Sequence, residues 1–174
     1  MRRLIPIAAA ALLVLSGCRR QEVIHPEPTE EGSVSLSSVV NMADLAVNMQ
    51  LVRGFHQVEQ NAWRWTMGRF AVTLRTPEGA GQKGAKLVAR FSVPDSALQR
   101  LGPITLTALI GQTPVGKITA STPGQYALET EIPASQLLRE TVTFDFVLDK
   151  FLAAGTLDTR ELGVIASTIG LLPL

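Results

Sequence analysis

Five stretches of this chain place apolar residues at alternate positions: Phe70-Val72-Leu74, Leu87-Ala89-Phe91-Val93, Ile104-Leu106-Ala108-Ile110, Tyr126-Leu128-Thr130-Ile132 and Val142-Phe144-Phe146-Leu148. A period of two belongs to strands, because successive side chains point to opposite faces of a sheet, whereas a helix repeats its apolar residues every three to four positions. Further strands are expected near Ala46–Arg53 and Gly163–Leu171, with a short one around Val115–Thr119. Between the runs lie Thr76-Pro77-Glu78-Gly79 with Gly81 and Gly84, then Gly102-Pro103, Gly111-Gln112-Thr113-Pro114 and Thr122-Pro123-Gly124. Glycine reaches positive φ and proline presets a turn, so each is a reversal point. A brief helical turn is expected at Ala134–Glu140, with Leu137 and Leu138 on its apolar side. Opposite the apolar set of the last run stand Thr141, Thr143, Asp145 and Val147, which leaves that strand one wet face. Seven or eight short strands without a long amphipathic helix predict an all-β fold, a two-sheet antiparallel β-sandwich of jelly-roll-like form.

The first residues read differently. Arg2 and Arg3 precede a twelve-residue greasy run, Leu4–Leu15, and small residues follow before Cys18. That is the layout of a secretory signal peptide, and the run is too short for a membrane-spanning helix, which needs about 20 apolar residues. Residues 1–17 are therefore expected to be removed. Residues 18–35, polar and acidic with Pro26 and Pro28, form a flexible tether. Residues 36–174 have the size of one domain.

Loss of Arg2 and Arg3 from the 16 basic residues leaves 14 against 15 acidic ones. A nearly neutral exported chain without a basic stripe argues against a nucleic-acid partner. With one cysteine in the whole chain, stability rests on core packing and not on disulfides.

Two segments gather the chemistry-bearing side chains: Gly54-Phe55-His56-Gln57-Val58-Glu59, followed by Trp63-Arg64-Trp65-Thr66, and Asp158-Thr159-Arg160-Glu161-Leu162-Gly163-Val164. One reading is a sugar platform, in which Trp63 stacks on a pyranose face while Glu59, Arg64 and Arg160 hydrogen-bond its hydroxyls. The other is structural: Trp65 packs on the core and Glu59, Arg64 and Arg160 form an ion-paired brace. Trp63 and Trp65 share a strand face, with Arg64 on the other. Glu59 with Asp158 or Glu161 is a formal glycosidase pair, yet any two carboxylates in a sequence satisfy that description. There is no G-x-S-x-G elbow, and His25 and His56 are the only histidines, so neither a hydrolase triad nor a zinc site is expected. No catalytic residue and no cofactor is assigned.

The stretch Leu15-Ser16-Gly17-Cys18 resembles the bacterial lipobox. That resemblance implies diacylglycerol on the Cys18 sulfur, cleavage before it, and a membrane held through lipid. Arg19 follows in place of the aspartate that resembles an inner-membrane retention signal, which favours the outer membrane in a diderm organism. The pair "GFHQVEQNAWRWT" and "DTRELGV" resembles a pattern in β-sandwich domains of bacterial cell-envelope proteins, which often accompany membrane glycosyltransferases. The pattern runs glycine, two aromatics, glutamate, Arg-Trp-Thr, then Asp-x-Arg-x-Leu-Gly, and His56 stands where it has its second aromatic. The resemblance implies a carbohydrate-binding-like jelly roll without catalytic activity. The expectation is thus a lipid-anchored envelope protein that binds glycan, or else an interaction module that docks on a membrane-protein partner.

Two acyl chains hold a protein stably on a bilayer where one does not. Cys18→Ala is therefore expected to shift the protein from the membrane fraction to the soluble one, or to leave an uncleaved precursor; unchanged fractionation and mobility refute the lipid anchor.

Overall fold

The structure, a computed structural model, describes residues 36–156 and 158–174. The expected signal peptide, Cys18 and the tether lie outside the described residues. Nine strands form one antiparallel sheet: β1 (Val39–Asn41), β2 (Leu51–Glu59), β3 (Trp63–Arg75), β4 (Ala85–Val93), β5 (Ile104–Ile110), β6 (Thr113–Ala120), β7 (Gly124–Ile132), β8 (Thr141–Leu148) and β9 (Ile165–Pro173). Two short helices, α1 (Ala80–Lys83) and α2 (Asp95–Leu101), sit in the connections on either side of β4. The all-β antiparallel class expected from the alternation holds.

Along the main path the order is β6-β5-β8-β3-β9-β4-β7, with β1 added to β9 and β2 to β3. The two end strands meet again. Thr130 Oγ1 of β7 donates to the Val115 carbonyl of β6 at 2.8 Å, and Gly116 leaves room for the Thr130 side chain. The sheet is therefore nearly barrel-shaped.

The interior is filled by the alternate residues of each strand. Phe70 stacks on Phe146 with ring centroids 4.9 Å apart, and Phe55 meets Phe70 edge-on at 5.3 Å. Val142, Phe144, Phe146 and Leu148 are buried, while Thr141 and Thr143 are exposed, as the alternation requires. Each such aromatic contributes roughly 1.5–3 kcal/mol through burial.

Three local features depart from expectation. Where a strand was expected over Ala46–Arg53, a 3-10 helix occupies Ala46–Gln50 and β2 starts at Leu51. Asp44 Oδ1 accepts the Ala46 N–H at 2.8 Å and nucleates that turn. The turn aims Gln50 inward, where it bonds the Ser37 N–H, the Ser37 carbonyl and the Thr73 carbonyl. The helical turn expected at Ala134–Glu140 is shorter, a 3-10 turn at Ala134–Gln136; Leu137 is buried but Leu138 is exposed. Helix α2 was not anticipated, although Pro94 before it and Gly102 after it mark its ends.

Gly54 has φ 75° and lies in the irregular part of β2, where an added Cβ would overlap the Arg69 carbonyl and Phe70 Cα. Gly79 has φ 77° with open space around it. Both resist a side chain through the left-handed backbone, but only Gly54 also abuts a paired strand. In chemical denaturation Gly79→Ala should cost about 1 kcal/mol and Gly54→Ala about 3 kcal/mol or more; equal costs would show that backbone conformation alone governs both sites.

Candidate functional site

The two segments that gathered the chemistry-bearing residues are brought together. β2 and β3 form a hairpin whose turn residues, Gln60 and Asn61, both have positive φ (50° and 53°), the conformation of a type I′ turn. Against it lies the stretch between Arg160 and Val164. Thr66 N–H donates to the Val164 carbonyl at 2.8 Å and Gly163 N–H to the Thr66 carbonyl at 2.6 Å. His56 Nε2 donates to the Glu161 carbonyl at 2.7 Å, and the Gly68 N–H donates to Glu161 Oε1 at 2.8 Å. His56, at the position of the second aromatic, is a hydrogen-bond donor within this junction.

The charged side chains divide into two groups. Arg160 donates from Nε and an Nη to Asp158 (3.1 and 2.9 Å) and from its other Nη to Glu59 Oε1 at 2.8 Å. Asp158 also accepts the Arg160 backbone N–H at 2.9 Å. These bonds hold the Asp158 carboxyl well below the usual aspartate range and raise the Arg160 guanidinium, with Asp158 the main cause and Glu59 second. Arg64 is not part of this group, in contrast to the three-membered brace expected. It is 4% exposed and donates to the Met42 carbonyl (2.9 Å), the His56 carbonyl (3.2 Å) and Asn48 Oδ1 (2.8 Å). Burial lowers its guanidinium from the ordinary arginine value.

Trp63 and Trp65 meet edge-on, with ring centroids 6.3 Å apart. Trp65 packs against the core, while Trp63 lines a surface groove of about 480 Å³ on the outer side of β3, β9, β4 and β7. Its lining combines small side chains, Ala62, Ser92, Ala127 and Ser167, with the larger Phe91, Tyr126 and Ile165, and it also carries Trp63, Arg90 and Gln125. The register explains the composition. Leu87, Ala89, Phe91 and Val93 of β4 face inward, so Arg90 and Ser92 face out, opposite Ala127 and Gln125 of β7. In β9 the pairing shifts between Arg90/Thr168 and Phe91/Ala166, leaving Ser167 as the extra residue of a bulge whose Oγ donates to the Arg90 carbonyl at 3.2 Å. Bulges often re-aim side chains at sites.

Of the four expected ligand residues, Trp63 alone lines the groove. Glu59 and Arg160 bind each other, and Arg64 is committed to the interior. Arg90, Gln125, Ser92 and Ser167 were not singled out from the sequence. Their outward orientation follows from the alternation, but the placement of β4 and β7 beside β9 does not. Among the described residues no group of three His, Cys, Asp or Glu side chains converges as a metal site would require. No protein-family model matches the chain, and no curated protein matches it.

Truncation of a buried donor leaves its acceptors without partners, whereas an exposed ion pair contributes little. Arg64→Ala is expected to cost about 3 kcal/mol or more in denaturant unfolding, and Glu59→Ala less than about 1 kcal/mol. The opposite order would mean that the Glu59–Arg160 pair, and not Arg64, secures the hairpin.

Proposed function

We propose that this chain is a lipid-anchored extracytoplasmic protein, non-enzymatic, whose β-domain binds envelope or extracellular glycan in the groove beside Trp63. The observation that carries this reading is the juxtaposition of one partly exposed indole with hydroxyl, amide and guanidinium groups in one groove. An aromatic face covers the apolar face of a sugar ring, and fixed polar groups around it discriminate hydroxyls. The absence of a catalytic role is supported by Asp158 and Glu59, both of which are engaged by Arg160 and so not free to face a substrate.

A jelly-roll-like sandwich is part of the same proposal. β8 pairs with Arg69–Arg75 of β3 and β9 with Arg64 and Trp65, so the strands that follow β8 and those that follow β9 diverge from one long strand. That divergence supports reading the curled sheet as two leaves, β6-β5-β8 and β7-β4-β9, hinged on β3. The carbohydrate-binding-like envelope domain, the lipobox at Cys18 and an outer-membrane location are carried with it as one reading.

A second reading, docking on a membrane-protein partner, is supported by Leu45, Met49 and Val52, which are 61%, 71% and 50% exposed within one short segment.

The two separate on Trp63→Ala, tested in the full-length protein in detergent on an array of bacterial and plant polysaccharides. Glycan binding by the wild type, lost in a variant whose melting temperature stays within a few degrees, supports the receptor. Absence of binding by the wild type refutes it in favour of a protein partner.

A further inference from the structure

Within the groove, Arg90 is the only charged side chain, and none of the lining residues is an acid. Its guanidinium forms no hydrogen bond or ion pair among the described residues; only its carbonyl is engaged, by Ser167. The acid that feels its charge, Glu129, is itself hydrogen-bonded and ion-paired to Lys86, which lowers the Glu129 carboxyl. Arg160, near the hairpin, is saturated by two carboxylates, whereas Arg90 is a cation of the groove lining left open to a ligand. Trp63 and Arg90 stand on β3 and β4, the strands flanking β9, whose backbones lie about 10 Å apart at ~4.8 Å per strand spacing. Between them lies Ser167, the bulge residue of β9 and itself part of the lining.

We propose that the groove selects an acidic sugar, a hexuronate whose ring lies against Trp63 while its carboxylate pairs with Arg90; this rests on the glycan reading of the groove. Guanidinium and carboxylate fit as two parallel N–H···O bonds, and the pairing is stronger than a bond to a neutral hydroxyl. The same cation attracts a sugar phosphate, so the shared chemistry is an anionic substituent on a pyranose, and the carboxylate is favoured because its planar pair of oxygens matches the guanidinium.

The test is calorimetric titration of the full-length protein in detergent with three probes: tetragalacturonate, the same oligosaccharide as its methyl ester, and a phosphorylated mannose oligosaccharide. The acid should bind at least about tenfold tighter than the ester. Arg90→Gln should bring the acid to the affinity of the ester, Arg90→Lys should retain part of the preference, and neither should shift the melting temperature. Equal affinity for acid and ester in the wild type overturns the acidic specificity and leaves the glycan receptor standing. Tighter binding of the phosphorylated probe overturns the carboxylate assignment. Binding of none of these or of the arrayed polysaccharides fails the glycan reading itself.

Discussion

The architecture depends on how β3 keeps its backbone paired while it changes neighbours. Its first residues pair with β9 and its last seven with β8, and between them the Gly68 N–H has no strand carbonyl opposite. An orphaned buried amide costs about 1–3 kcal/mol, and here the Glu161 carboxylate accepts it. The Phe151 ring lies over Gly68 where any Cβ would stand. Both Phe151 and Glu161 belong to the connection from β8 to β9, so the strand exchange and the docking of that connection are one event. Arg160 reaches Glu59 because the next residue, Glu161, is fixed on Gly68, and the charged cluster follows from the sheet geometry.

The same economy of side chains secures the N-terminal part of the domain. β1 is three residues long and contributes a short ladder to β9. Two buried polar side chains supply the rest. Gln50 bonds both backbone groups of Ser37 and the Thr73 carbonyl, and Arg64 bonds the Met42 carbonyl and Asn48. A buried charge with neutral acceptors is tolerable when its donors are satisfied and its aliphatic stem is packed. Without a thiol in residues 36–174, these hydrogen bonds do what a disulfide does in many exported domains.

The strands were legible because each is amphipathic, so burial on one face writes itself into the sequence at period two; all five alternating runs fall inside strands. Less was legible where polar side chains serve the interior. Gln50 falls in the stretch Ala46–Arg53 expected as a strand, where Val47, Met49 and Leu51 mimic alternation across a 3-10 turn, and Arg64 offers itself equally as brace or ligand contact. The Gln60-Asn61 hairpin lacked glycine, the usual signal for positive φ. The association of the Gly54–Thr66 and Asp158–Val164 segments was legible through shared composition. What each residue does there was not, since the same carboxylates and arginines serve a brace or a ligand equally well until their partners are known. The groove was the least visible, because Arg90, Gln125 and Trp63 lie on three strands separated by long stretches of chain and meet only through the order β3-β9-β4-β7.

The hydrogen bonds of the first described residues fix where the chain enters the sheet. Ser37 accepts the Arg75 N–H and Ser38 the Leu171 N–H, so the N-terminal segment joins the sheet at the C-terminal end of β3. Trp63 opens the 13-residue β3 at its other end, about 40 Å of strand away at ~3.3 Å per residue. From the point of entry β1 runs antiparallel along β9, and the Met42 N–H donates to the carbonyl of the groove residue Ser167 at 2.9 Å. The groove is lined there by a bulge whose extra residue is Ser167, by the small residues Ser92 and Ala127, and by Phe91, Tyr126 and Ile165. Substitution of the exposed groove residues Arg90 and Gln125 is cheap for the fold, whereas substitution at Gly68, Glu161 or Arg64 is not. The exposed groove side chains and the interior side chains that secure β3 and β4 stand on opposite faces of the same strands, so the first can change without the second.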